Sequence, residues 1–160
     1  MMINIYTDGS CKSNGYDGYG GWAYVIINKG EIARKDSGSV APTTNNRMEI
    51  YAVIKALESL KRDFINYENA HVVIHSDSAY VVNAWNRKWI TNWRLSNWKK
   101  SDGNKVENSD LWEDLLFYTK NLNIRFEKVK GHDGNKYNEM CDKMAQEKAQ
   151  SLKNEWEGWY

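Results

Sequence analysis

Five residues of this chain have types and spacings that could do chemistry together: Asp8, Glu49, Asp77, Asp142 and His132. Each has an ordinary reading. Asp8 opens an Asp-Gly turn pair, and Glu49 stands three residues after Asn46 at capping-box spacing. Asp77 sits where a helix cap belongs, and Asp142 could be a solvated helix residue. The other reading is joint. Carboxylates gathered in one place repel one another unless something neutralises them. Oxygen ligands with no Cys or His set select a hard cation, Mg²⁺ or, as a substitute, Mn²⁺. Two such ions about 4 Å apart activate a water and stabilise the leaving oxygen of a phosphodiester. His132, in a glycine-flanked loop, could then shuttle protons, because an unperturbed imidazole titrates near about 6.5.

The joint reading needs elements that bring the acids to one edge. Residues 3–7 alternate apolar and polar, so they predict a strand that ends at the turn Asp8-Gly9-Ser10. A glycine-rich loop follows, without the Gly-Lys-Ser/Thr ending of a phosphate loop. Strands are predicted over 22–27 and 31–39, joined at Asn28-Lys29-Gly30, giving an antiparallel meander. A helix capped at Asn46 runs to about Leu60 on the face Ile50, Val53, Ile54, Leu57 and Leu60. An apolar strand over 70–75 ends at Ser76-Asp77-Ser78, where another helix begins. Strand, helix, strand implies a crossover, so this strand lies parallel to the first and puts Asp77 at the edge of Asp8. A helix from about Ser109, a strand over 124–129 and a helix over 136–153 complete the order. The last helix is expected to bury Tyr137, Met140, Met144, Ala145 and Leu152.

Between Arg87 and Lys105 the character changes. Arg87, Lys88, Arg94, Lys99, Lys100 and Lys105 stand against one acid, Asp102, in a chain of net charge +1. Trp85, Trp89 and Trp93 fall four apart, a helical stripe, and Trp98 follows. Such a mixture suits phosphate contact, with the tryptophans either stacking on bases or packing the segment. The 160 residues suit a single domain, 1–160, with this basic protrusion over about 85–108 and a short tail over 154–160. No apolar run approaches a membrane span, and no basic segment followed by an apolar one opens the chain, so a soluble, cytoplasmic monomer is expected. Cys11 and Cys141 are expected to be free thiols.

The segments Tyr6-Thr7-Asp8-Gly9-Ser10-Cys11, Thr44-Asn45-Asn46-Arg47-Met48-Glu49, Ser76-Asp77-Ser78, Val129-Lys130-Gly131-His132 and Asn138-Glu139-Met140-Cys141-Asp142 together resemble the motifs of ribonuclease HI, in order and spacing. The resemblance covers nearly the whole chain. It implies an α/β fold: a mixed five-stranded sheet, antiparallel in its first three strands and parallel in its fourth and fifth, flanked by helices. It implies hydrolysis of the RNA strand of RNA–DNA hybrids with two Mg²⁺ ions, leaving 3′-hydroxyl and 5′-phosphate ends. Asp8, Glu49, Asp77 and Asp142 match the family's metal-binding carboxylates, and His132 its proton-transfer or product-release histidine. Asn14, Asn45 and Asn46 match minor-groove contacts, and Thr44 a DNA-phosphate contact. Trp89, Arg94, Trp98, Lys99 and Lys100 fall in the family's basic protrusion. The glycine-rich loop lacks the family's prolines, Leu95 and Ser96 stand where relatives tend to be basic, and Asn135-Lys136 replaces a common His-Pro. None of these removes a catalytic group. A non-catalytic hybrid-binding module and another nuclease on the same fold are the competing functions.

Overall fold

The computed structural model describes residues 1–12, 18–130 and 135–158. Apolar and β-branched runs form the central strands β1 (Met2–Lys12), β2 (Gly18–Asn28) and β4 (His71–Ser76), and the more polar β3 (Glu31–Thr43) and β5 (Asn123–Lys128) form the edges. The helices are α1 (Asn45–Asp63), α2 (Ala79–Asn86), α3 (Trp89–Leu95), α4 (Ser109–Thr119) and α5 (Lys136–Glu157). One mixed sheet runs β3-β2-β1-β4-β5. Its first three strands are antiparallel neighbours, and the β1–β4 and β4–β5 pairs are parallel.

Period-two alternation sorts the sheet into two faces. Ile3 and Ile5 of β1, Ile74 of β4 and Ile50, Val53 and Leu57 of α1 form one core, with Trp112 and Leu115 of α4. On the other face α5 brings Cys141 and Ala145 against Ala23, Val25 and Ile27 of β2.

The first strand does not stop at Asp8-Gly9-Ser10. All three stay in register with β2, opposite Ala23, Trp22 and Gly21. What stops there is the ladder to β4, whose last pair with β1 is Tyr6 with His75. Asp8 therefore lies just past the carboxyl end of the parallel pairing, still held by β2. The glycine is needed for close approach rather than for a turn: a Cβ at Gly9 would overlap the backbone of Met48 and Glu49. The cap of α1 is Thr44, not Asn46; its hydroxyl accepts from the Arg47 N–H at 3.2 Å.

α5 also differs from expectation. It buries Asn138, Cys141, Ala145 and Ala149, and it extends to Glu157, into the expected tail. Tyr137, Met140 and Met144 only flank this face. The sheet dictates the small residues: a Cβ at Gly21 would collide with the Ala145 carbonyl. The tryptophan stripe spans two helices rather than one, because Lys88 takes a left-handed conformation (φ 59°) between α2 and α3. Trp85 stacks on Phe126 of β5, centroids 4.8 Å apart, while Trp93 meets Trp112 of α4 at 6.2 Å. The break lets each ring reach its own partner.

Candidate active site

Three elements carry the predicted acids to one place. Asp8 projects from the end of the β1–β4 ladder, Asp77 follows β4, and Glu49 rides in the first turns of α1. One carboxylate oxygen from each lies within 4.8 Å of the others. Asp8 and Glu49 are 3% and 4% exposed, too little for water to screen them. The helices nearest the acids begin on capping side chains. Ser78 Oγ accepts from the Val81 N–H at 3.2 Å, and Asn135 Oδ1 accepts from the Tyr137 and Asn138 N–H groups at 3.0 Å. Caps satisfy N–H groups that a helix start leaves without partners, so these starts are locally fixed.

Burial pushes the Asp8 carboxyl up to about 8, and the charges of Asp77 and Asp142 add to the effect. The Gly9 N–H, donating to Asp8 Oδ1 at 2.9 Å, works the other way. Burial, then Asp8 and Asp77, hold the Glu49 carboxyl well above the usual carboxylate range. Without a cation, both carboxyls hold their protons to higher pH than ordinary acids do. Glu49 Oε2 is buried without a hydrogen-bond partner. An orphaned acceptor beside two further carboxylates fits a hard divalent cation, which would accept the lone pairs and remove the repulsion.

Asp142 does not join the triad. It lies outside the 4.8 Å group, and both its oxygens accept from Gln146 Nε2, at 3.0 and 3.1 Å. It does share a helix face with Asn138, and its charge reaches Asp8. Asn14 and His132 lie outside the described residues. Thr44, Asn45 and Asn46 are exposed at the start of α1, beside Glu49. Arg94, Lys99 and Lys100 are exposed, and Trp89 is half-buried. Of the two readings open for the tryptophans, packing holds for Trp98, which is buried in the core at 8% exposed, and this corrects the expectation of Trp98 as a substrate contact.

Sequence reasoning missed Gly9, whose neighbour Asp8 made it look like a turn residue. It also missed Arg47, whose partner Asp110 is 63 residues away with no local signal.

The RNase H family model matches residues 1–150. A Ribonuclease H of Caldanaerobacter subterraneus subsp. tengcongensis is 48% identical over 146 residues, 91% of this chain and 90% of that protein. A Ribonuclease H of Clostridium botulinum is 43% identical over 145 residues, 91% of this chain and 93% of that protein. Among solved structures, LC9-RNase H1, a type 1 RNase H with the type 2 active-site motif, superposes with a TM-score of 0.80 at 28% identity, covering 94% of this chain and 72% of that one. LC11-RNase H1 in complex with an RNA/DNA hybrid shares the fold at a TM-score of 0.70 and 21% identity, covering 94% and 98%. With a family match over most of its length and relatives this similar, the chain belongs to the ribonuclease H family of enzymes.

Proposed function

We propose that this chain hydrolyses the RNA strand of RNA–DNA hybrids with two Mg²⁺ ions, leaving 3′-hydroxyl and 5′-phosphate ends. The observation that carries the reading is the set of Asp8 and Glu49, both buried, and Asp77, half-buried, within 4.8 Å, with Glu49 Oε2 unpartnered. Asp8, Glu49 and Asp77 would hold the cations, with Asp142 completing the set. When bound, the cations supply an activated water and charge stabilisation for the phosphoryl group. The chain's own residues do the rest. Asp8, fixed by its pairing with β2, offers one oxygen within 4.8 Å of an oxygen of Glu49 and of Asp77. Asn45 and Asn46, exposed at the start of α1, contact the hybrid's minor groove together with Asn14, and Thr44 takes a DNA-strand phosphate. Glu49, next to them, senses a ribose 2′-hydroxyl in this reading, the group that distinguishes RNA from DNA. Water attacks phosphorus, the bond from phosphorus to the 3′ oxygen breaks, and that oxygen leaves with a proton. We assign the transfer of that proton to His132, since histidine commonly serves as a proton shuttle. Arg94, Lys99 and Lys100 hold the phosphate backbone beside Trp89.

Cleavage of a labelled RNA–DNA hybrid with Mg²⁺, beside RNA–RNA and DNA–DNA duplexes, tests the reading. Wild type cuts the hybrid's RNA strand alone, and Asp8→Asn loses at least about a hundredfold in rate. A wild type that binds the hybrid and leaves it intact makes the chain a binding module. Cutting of DNA–DNA makes it a different nuclease on this fold.

A further inference from the structure

The sheet fixes Asp8 relative to β4, but Glu49 rides on a helix, and something must hold α1 to the same frame. Arg47, two residues before Glu49, donates from Nη2 to Asp110 Oδ2 at 2.7 Å and from Nη1 to Asp110 Oδ1 at 3.0 Å. The same Nη1 reaches Asn108 Oδ1 at 3.3 Å. Asn108 Nδ2 in turn donates to the Tyr80 hydroxyl at 3.2 Å. Tyr80 lies in the first turn of α2, three residues past Asp77, and its ring meets Trp112 at 5.4 Å. Asn108 precedes α4 with φ 62° and does not cap that helix with its side chain. A left-handed non-glycine residue persists where its surroundings over-determine it, and here its amide is spent on Arg47 and Tyr80. One bonded chain thus joins the starts of α1, α2 and α4.

We propose that Arg47, Asp110, Asn108 and Tyr80 form a positioning clamp that fixes the start of α1 against the start of α2 and so sets the spacing of Glu49 from Asp77. The clamp rests on the metal-dependent reading above. Asp110 is 65% exposed, so the ion pair adds little to stability. Its two-pronged geometry fixes orientation instead, which is what a pair of carboxylates on separate elements needs. Arg47 acts through Glu49, and Tyr80 through the start of α2.

The test compares wild type with Asp110→Asn, Tyr80→Phe and the conservative Asp110→Glu. Two measurements are made: the Mg²⁺ concentration at half of the Mg²⁺-induced rise in melting temperature, and kcat and KM on the hybrid. Asp110→Asn raises the Mg²⁺ midpoint about tenfold and lowers kcat about tenfold, with KM changed less than about twofold. Tyr80→Phe moves both in the same direction by less, and Asp110→Glu restores most of the loss. An Asp110→Asn protein that melts slightly lower but keeps its Mg²⁺ midpoint and kcat shows a plain staple and overturns the clamp alone. A wild type whose melting ignores Mg²⁺ overturns the metal reading and the clamp with it.

Discussion

Asp8 is buried beside two other carboxyls, and its acidity makes a prediction with a definite sign. The fold moves it from an ordinary 3.8 to about 8. Between those values the folded chain keeps a proton that the unfolded chain has released. Metal-free stability therefore falls as pH rises through this window and levels off above it. Asp8→Asn removes the ionising group, so in chelator at pH 8.5 it melts higher than wild type, by roughly 2 kcal/mol or about 5 °C. At pH 4.5 the gap narrows. Adding Mg²⁺ narrows it from the other side, because a cation that binds only the folded chain stabilises wild type by mass action. Melting curves in chelator at both pH values check this, and a variant that tracks wild type at both would show that the site carries no proton penalty. Asp8, Glu49 and Asp77 were legible because they follow the β1–β4 ladder, the start of α1 and the end of β4, which apolar spacing locates, and Asp142 because it stands four residues after Asn138 on one face of α5. The spacing said nothing of how far each side chain reaches, so it could not separate Asp142, held by Gln146, from the three that meet.

Elements were legible where one periodicity ruled a segment. The meander, the crossover and α1 followed from alternation and helical spacing. α5 shows what spacing misses. Its large residues, Met140 and Met144, looked like the core face, yet the helix meets β2 through Cys141, Ala145 and Ala149. The reason lies in the partner strand: Gly21 leaves no side chain on that face of β2, so the backbones close in and only small residues fit. Gly21→Ala therefore lifts the helix from the sheet. It costs about 1–3 kcal/mol in stability, read by chemical denaturation. It also lowers kcat more than it raises KM, because the displaced helix carries Asp142 toward the site. A Gly21→Ala protein with wild-type stability would mean that α5 repacks freely and that its small face is incidental. The tryptophan stripe failed for the same kind of reason. Nothing local marks Lys88 as a break; separate partners on β5 and α4 require it.

For the whole molecule, charge and packing part company in the protrusion. The net charge of +1 gives little long-range attraction to a polyanion, so hybrid affinity must come from local clusters. The basic residues announced such a cluster in the sequence, and the structure leaves Arg94, Lys99 and Lys100 exposed. The tryptophans interleaved with them went largely to the core, with Trp98 buried and Trp93 against Trp112. The short Lys99–Lys105 bridge and the Lys100 N–H, donating to the Asn104 carbonyl at 2.8 Å, hold the lysine pair on a folded tip. The protrusion is thus a packed base that presents cations. If each lysine meets one phosphate, replacing both with alanine removes two counterion-release contacts. The slope of log affinity against log salt then becomes shallower by about 2. The ratio of variant to wild-type KM is largest at low salt and shrinks as salt rises, since wild type loses its extra contacts faster. With Asp8, Glu49 and Asp77 untouched, kcat at saturating hybrid stays within about twofold. Initial rates at 50 and 200 mM salt, with hybrid concentration varied, measure both quantities. A collapse of kcat at unchanged KM would instead place Lys99 or Lys100 at the reacting phosphate, and the protrusion would belong to the catalytic site rather than to the grip.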